Sequence, residues 1–212
     1  GEEQIIYYCV DEYAQFSGVS STSLAELEQQ LLRRSDLVIV SADRLYESKK
    51  KINPRTILIR HGVDFDHFRK ALDPETVVPA EIENLPRPVI GFFGLIADWV
   101  DLDLIGAVAD KLCSGSIVML GKATTDTSVL EQKPNVHLLG RKSYESLPAY
   151  CKGFDVCMMP FAINEATEYI NPTKALEYMA ARTREGAESA GRGSSPVWEA
   201  GRGATAGRGG VA

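Results

Sequence analysis

Short apolar runs alternate along the chain with stretches whose apolar residues recur at helical spacing. The runs are rich in β-branched and aromatic residues: QIIYYCV, LVIV, TILI, VIGFFG, SIVML and DVCMMPF, with a shorter VHLLG before the last. Because successive positions are apolar, the runs predict parallel strands that are covered on both faces. Their alternation with helical stretches predicts an α/β fold built from βαβ units.

Helix-start signals lie between these runs. Ser23 followed by Glu26 predicts a capping box, and the leucines that follow share one face of a helix ending at Arg34. A second helix is predicted over residues 42–50, with Ser41 as its cap. Later helices are predicted over 101–112, in YESLPAYCKG and from Asn171 onward.

A segment rich in proline and acidic residues, DPETVVPAEIENLPRP, separates two series of strands and helices. It predicts a linker over residues 73–87, between a first domain at 1–72 and a second at 88–181. Residues 182–212 are mostly Gly, Ala, Arg and Ser without apolar periodicity, which predicts a low-complexity, disordered tail.

The net charge of the chain argues against one class of function, nucleic-acid binding. The net charge is −6, and the segment from Arg182 onward holds five Arg and three Glu, so residues 1–181 carry −8. This balance argues against a nucleic-acid partner. The basic run at 49–51 ends a predicted helix and is interpreted as a solvated helix end.

The hydrophobic pattern, the first residues and the cysteine spacing predict a cytoplasmic protein with reduced thiols. No apolar run approaches the ~20 residues that span a bilayer, and the first residues lack the features of a signal peptide. The four cysteines form no CxxC pair, which favours free buried thiols over disulfides or zinc ligands. These are Cys9, Cys113, Cys151 and Cys157.

A lysine near a predicted helix start is the strongest chemical signal. Asn171 is a good N-cap and Pro172 suits the first helical position, but the cation of Lys174 opposes the positive end of the helix dipole. A phosphate bound there would resolve the conflict, and Glu177, one turn deeper, could accept hydrogen bonds from both ribose hydroxyls. The alternative is a surface ion pair between Lys174 and Glu177.

The segment around this helix resembles a known family. PNVHLLGRKSYESLPAYCKGFD, DVCMMPF and NPTKALEYMAA occur in the order found in GT-B glycosyltransferases of the retaining family 4 type. The subgroup it most resembles is the teichuronic-acid biosynthesis glycosyltransferases. The resemblance covers roughly residues 7–181 and is most specific over 135–181. It implies two Rossmann-like parallel-sheet domains, the first partial and the second without its last strand and helices.

The resemblance also implies an activity. A sugar would pass from a nucleotide-diphosphate sugar to a hydroxyl of a glycan or lipid-linked acceptor, in cell-surface polysaccharide or glycoconjugate synthesis. No metal or other cofactor is expected, and a lipid-linked acceptor would bring the protein to the inner face of the membrane. The rival hypotheses are a non-catalytic nucleotide-binding module and a GT-B nucleotide-sugar epimerase.

Site residues follow from the same resemblance. Lys174 and Arg141 would stabilise the leaving diphosphate, while Glu177 would hold the ribose. Glu168 would approximate the glutamate that usually opens this helix, since Tyr169 occupies the usual position. The expected donor-binding residues are Gly94, Lys122, Leu139, Gly140, Glu168, Asn171, Thr173 and Glu177.

The first domain carries weaker signals. HGVD stands where the family usually has NGVD, which would place His61 and Asp64 near the interdomain cleft. These two residues, with Asp66 and His67, could suggest a metal cluster, but no second ligand group supports it and we expect no metal. Asp11 and Glu12 could contact the acceptor, but are more typical of a turn.

The resemblance predicts a chain truncated at both ends. The acceptor loops and the usual catalytic histidine would precede residue 1, so we expect this fragment to be inactive alone. After Ala181 the family continues into another buried strand, which is absent here. We hypothesise that a reading-frame shift or gene-prediction error replaced the natural end.

Overall fold

A computed structural model describes residues 3–13, 21–163 and 172–182. The strands are β1 (Ile6–Cys9), β2 (Leu37–Val40), β3 (Thr56–Leu58), β4 (Val89–Phe93), β5 (Ser116–Leu120), β6 (Val136–Leu138) and β7 (Val156–Cys157). The helices are α1 (Ser21–Arg34), α2 (Asp43–Lys49), α3 (Phe65–Arg69), α4 (Ala80–Glu83), α5 (Leu102–Lys111), α6 (Ser128–Glu131), α7 (Leu147–Gly153) and α8 (Thr173–Arg182). Short 3₁₀ turns at Lys70–Leu72 and Tyr144–Ser146 follow α3 and precede α7.

The strands form two parallel sheets, which confirms the predicted α/β fold class. The first sheet has the order β1-β2-β3 and the second the order β6-β5-β4-β7. In the second sheet Gly91 of β4 pairs with Val118 of β5 and with Cys157 of β7, so β4 lies between two parallel neighbours. Each predicted apolar run contains one of these strands.

Helices cover both faces of the second sheet. Val89, Phe93 and Val118 point into a core shared with α7 and α8, while Phe92 and Ile117 point into a core shared with α5. Phe68 of α3 also lies in the first of these cores, although it precedes the predicted linker. The domain limits at 72 and 88 stay a prediction.

One face of the first sheet is exposed, so the prediction that all strands are covered on both faces is wrong here. Cys9, Val38 and Val40 are buried against α1 and α2. On the opposite face Tyr8 and Ile59 remain 51% and 50% exposed.

Two predicted caps and one predicted buried thiol are corrected. Ser23 lies inside α1, which extends from Ser21, and the Ser41 hydroxyl donates to the Val10 carbonyl (2.8 Å) while Ala42 occupies the N-cap position of α2. Cys113 is an exposed thiol. By contrast, Asp101 caps α5 by accepting from the Leu104 N–H (2.8 Å), because its side chain reaches an otherwise unpaired amide of the first turn.

The interpretation of Lys49 as a solvated helix end is also wrong. Its side chain is only 5% exposed, and its ammonium lies 2.8 Å from carboxylate oxygens of both Glu12 and Glu28. Within the described residues, no helix is long and apolar enough to cross a membrane.

Candidate functional site

Glycines end three neighbouring strands of the second sheet at its carboxyl edge. Gly94 follows β4, Gly121 follows β5 and Gly140 comes two residues after β6. The Gly121 N–H donates to the Gly140 carbonyl (2.8 Å), and the Gly94 N–H donates to the Leu120 carbonyl (2.8 Å). In open parallel sheets this edge is where ligands bind.

Gly121 permits the closest backbone approach at this edge. Its φ is +154°, and a Cβ built there would lie 1.7 Å from the Gly94 carbonyl oxygen. No side chain fits at that distance, so the two strand ends approach closely only because the residue is glycine.

The Lys174 side chain of α8 lies against the backbone of Gly94. A Cβ added to Gly94 would lie 2.2 Å from Lys174 Cε and 2.9 Å from its Nζ, and the φ of Gly94 is +148°. The amino group also lies 6.0 Å from the centroid of the Phe92 ring. The structure thus places a lysine of the first turn of α8 beside the glycine that follows β4.

Tyr178 fixes α8 in this position. Its buried hydroxyl accepts a hydrogen bond from the Phe93 N–H (3.2 Å), and its ring meets the Phe93 ring edge-to-face at a centroid distance of 4.9 Å. Ala180 and Ala181 of the same helix are buried in the core that it shares with the sheet, and their small side chains allow a close approach. Because Phe93 immediately precedes Gly94, these contacts set the distance between Lys174 and the strand end.

Lys174 and Glu177 are both half-buried, and no ion pair within 4 Å joins them in the described structure. Burial lowers the pKa of Lys174, although the nearby Glu177 charge opposes the shift. Burial raises the pKa of Glu177, opposed by the charges of Lys174 and His67. Both groups are thus partly removed from water, and the described residues supply neither with a compensating hydrogen bond, which is not the environment of a surface ion pair.

A cavity of about 350 Å³ opens beside this edge. Its lining includes Gly94, Gly121, Lys122, Arg141 and Lys142. Lys122 and Arg141 are exposed, and for neither of them, nor for Lys174, does the described part of the chain supply a hydrogen bond or ion pair. The site therefore concentrates positive charge that the described residues do not neutralise, an arrangement that favours an anion.

Lys142 is a fourth cation here that sequence analysis missed. Its ammonium lies 2.7 Å from a carboxylate oxygen of Glu81, on α4 within the predicted linker. The Tyr150 hydroxyl donates to the same carboxylate. The dipeptide Arg141–Lys142 after VHLLG was a signal for a second cation, but its pairing with Glu81 depends on the fold.

The remaining predicted donor residues lie at different places. Thr173 is the first residue of α8 and is half-buried, and Leu139 is half-buried against the core of the second sheet. Glu168 and Asn171 lie outside the described residues, as do residues 183–212 of the predicted tail, whereas Arg182, its first residue, ends α8. Their predicted roles are neither supported nor opposed.

The residues that suggested a metal cluster have other contacts. Asp64 caps α3 by accepting from the His67 N–H (3.0 Å), and His67 is buried against the Tyr144 ring. Among the described residues no group of three or more His, Cys, Asp or Glu is placed to hold a metal ion.

Asp11 and Glu12 lie at the carboxyl edge of the first sheet. Burial raises the pKa of Asp11, opposed by the charge of His61, whereas Glu12 forms the ion pair with Lys49. The structure assigns neither of them an acceptor contact.

Comparison with known proteins gives a distant relative. No protein-family model matches the chain. The chain is 24% identical over 195 residues to the "Putative teichuronic acid biosynthesis glycosyltransferase TuaH" of Bacillus subtilis (strain 168), an alignment that covers 84% of this chain and 49% of the relative. The chain therefore spans about half the length of the curated relative it matches.

Proposed function

We propose that the second sheet and α8 form the donor site of a glycosyltransferase that uses a nucleotide-diphosphate sugar. The observation that carries the proposal is the half-buried Lys174 ammonium, which lies against the Gly94 backbone at the carboxyl edge of β4 without an ion pair among the described residues. The similarity to a protein named as a glycosyltransferase supports the same reaction class.

The proposed sugar transfer gives Lys174 and Arg141 a defined role. In the proposed transfer, an acceptor hydroxyl oxygen bonds to the anomeric carbon of the sugar, and the bond from that carbon to the diphosphate oxygen breaks. The hydroxyl proton passes to the leaving diphosphate or to solvent. Negative charge then develops on the leaving diphosphate, where Lys174 and Arg141 would stabilise it. Fixed charges aimed at the place where charge develops lower such a barrier without reorganisation.

Glu177 would bind the ribose. Its carboxylate lies one helical turn beyond Lys174 on the same side of α8, and it has no hydrogen-bond donor among the described residues. Two ribose hydroxyls would supply those donors. Gly94, Gly121 and Gly140 would allow the phosphates and sugar to approach the backbone, and Lys122 would add positive charge at the rim.

Calorimetric titration of the full chain with UDP, GDP, ADP and their sugars tests the proposal. We expect one or more of these ligands to bind, and we expect Lys174→Ala and Glu177→Ala to weaken that binding at least tenfold, which is about 1.4 kcal/mol each. Lys51→Ala is the matched control, because Lys51 is an exposed cation in the turn before β3.

The outcomes separate the functions. Binding by the chain that is equally strong in Lys174→Ala and Lys51→Ala would overturn the donor site. Mass spectrometry and NMR of a bound donor incubated with glycan acceptors then test the reaction class. A heavier acceptor supports transfer, and a donor of unchanged mass with an altered NMR spectrum, without an acceptor product, supports an epimerase.

A further inference from the structure

Two stacked rings lie beside the proposed donor site. The rings of Tyr144 and His67 are 4.2 Å apart between centroids and 10° from parallel. His67 is buried, whereas Tyr144 remains 46% exposed. One face of the Tyr144 ring is thus covered by the histidine, and a substantial part of the side chain meets solvent.

A hydrogen bond and a third aromatic ring fix the positions of His67 and Tyr144. His67 Nε2 donates a hydrogen bond to the Tyr144 carbonyl oxygen (2.9 Å), since that oxygen can only accept. The buried Phe68 ring meets His67 edge-to-face at 5.1 Å and Tyr144 at 5.7 Å. A flat ligand that stacks on Tyr144 would therefore meet a ring whose position is already fixed, which lowers the entropy cost of binding.

The rings belong to the same edge of the molecule as the cations. Arg141 and Lys142 shortly precede Tyr144, and Leu147 follows it by three residues; all three line the cavity. The Phe68 ring stacks on Phe93 at 5.9 Å, and Phe93 immediately precedes Gly94.

Glu177 belongs to α8, which packs against α3, the helix that carries His67. Burial raises the pKa of Tyr144, and the charges of Asp64 and Glu177 raise it further. In the other direction, the His67 charge lowers the pKa of Glu177. α8 therefore carries the residues proposed for the diphosphate and the ribose, Lys174 and Glu177, and packs against the helix that supplies one of the two rings.

We propose that Tyr144, supported by His67, is the stacking platform for the nucleobase of the donor. The inference rests on the proposed function and adds the third part of the nucleotide to it. Every nucleobase presents a π-face, so the platform would contribute affinity without selecting a base by hydrogen bonds. Its chemistry differs from that of Lys174, which would attract any diphosphate.

The test compares nucleoside diphosphates with inorganic pyrophosphate. Calorimetry on the full chain should show that Tyr144→Ala weakens binding of UDP or GDP about tenfold, the scale of one base–aromatic stack. Binding of pyrophosphate should change less than about twofold, because it offers no ring to stack. Tyr144→Phe, which keeps the ring, should retain the affinity of the unaltered chain.

Ligand NMR gives a second readout that a structural defect would not imitate. The base protons of bound UDP should shift upfield through the ring current of Tyr144, and the shift should persist in Tyr144→Phe and disappear in Tyr144→Ala. Equal thermal midpoints of the three proteins establish that the exposed position tolerates the change.

The results distinguish this inference from the donor site itself. If Lys174→Ala weakens UDP and pyrophosphate while Tyr144→Ala weakens neither, the donor site stands and the stacking platform is wrong. If Tyr144→Ala weakens both ligands equally, its effect is not stacking and the inference is also wrong. Failure of every nucleoside diphosphate to bind would overturn both.

Discussion

The position of Lys174 has an energetic cost in the ligand-free protein. Burial lowers the pKa of its ammonium, and no described carboxylate lies within ion-pair distance. A buried charge without a partner destabilises a fold, and such groups persist where function requires them. The Lys174 side chain can lie against residue 94 only because that residue is glycine, which also suits its φ of +148°.

We therefore expect Lys174→Met to stabilise the ligand-free chain while it weakens anion binding. Methionine fills similar space without a charge, and the gain in free energy of unfolding should be about 1 kcal/mol. For a chain of this size that corresponds to a rise in thermal midpoint of about 2–4 °C. Differential scanning calorimetry without ligand, followed by titration with pyrophosphate, measures both effects.

The pH dependence of stability should show whether the Lys174 ammonium destabilises the folded chain. Because the pKa of Lys174 is lowered on folding, the unfolded chain binds that proton more tightly, and stability rises as pH increases from the folded-state pKa toward about 10.4. Lys174→Met should remove this rise, whereas Lys51→Met should keep it. A variant less stable than the parent at neutral pH would mean that the ammonium is well satisfied in the folded chain.

Residue patterns pointed to the residues proposed here for the diphosphate and the ribose, but not to those proposed for the base. The cation at a helix start pointed to Lys174, and the acidic residue one turn later pointed to Glu177. The ring pair of His67 and Tyr144 was not predicted, because 77 residues separate its members and no periodicity connects them. Pairing across such a distance depends on how α3 packs, which local patterns do not encode.

At the scale of elements, one lysine joins three segments of the first sheet. Lys49 at the end of α2 binds Glu12, which follows β1, and Glu28 of α1. Glu28 also accepts a hydrogen bond from the Tyr7 hydroxyl (2.9 Å). Burial, the largest single effect, lowers the pKa of Lys49, but the hydrogen bonds to and the charges of the two carboxylates together raise it further than burial lowers it.

Loss of this ammonium should strongly destabilise the first sheet. Lys49→Met leaves two carboxylates with 12% exposed side chains facing each other, a loss of about 3–5 kcal/mol in free energy of unfolding. Urea unfolding between pH 5 and pH 8 measures it. The triple replacement Glu12→Gln, Glu28→Gln and Lys49→Met should recover most of the stability, because no unpaired charge remains.

The variant should also move the pH dependence from the alkaline to the acidic range. In the parent, the raised pKa of Lys49 gives stability that is fully present below about pH 10.4 and is lost as pH rises through the folded-state pKa. In Lys49→Met the two unpaired carboxylates should bind protons more tightly when folded, so stability should increase as pH falls toward 5. Stability equal to that of Lys51→Met throughout this range would contradict the proposed role.

Apolar runs predicted the strands well, whereas capping residues predicted the helix starts less well. The difference has a physical reason. A buried parallel strand needs a continuous apolar run, so β4 and β5 are evident in the sequence. A side chain caps a helix only if it bonds an amide of the first turn rather than another partner. The Ser41 hydroxyl instead donates to the Val10 carbonyl of a neighbouring segment. The exposed face of β1 and β3 shows that an apolar run establishes strand character but not what covers it.

At the scale of the whole molecule, the segment before β4 reaches into the proposed site. The predicted linker contains α4, whose Glu81 binds the cavity-lining Lys142. The hydrogen bond to Lys142 lowers the pKa of Glu81, and the same bond raises the pKa of Lys142. Sequence composition predicted a linker here because proline and acidic residues are common between domains, but it could not predict this contact.

Glu81 should therefore reduce the positive potential of the cavity. Replacing it with glutamine leaves the Lys142 charge uncompensated, so Glu81→Gln should tighten pyrophosphate binding about twofold to fivefold, the range of a partly exposed ion pair. The gain should shrink at high salt, because screening weakens the attraction. Titrations at two ionic strengths measure both expectations.

A double-mutant cycle shows whether the effect passes through Lys142. In a Lys142→Met background, Glu81→Gln should change pyrophosphate affinity little, because the cation it was meant to release is absent. If Glu81→Gln acts equally in both backgrounds, its charge reaches the ligand directly or through Tyr150, whose hydroxyl it also binds. In the expected case, the segment before β4 sets the charge of a site whose other cations come from the ends of strands and from α8.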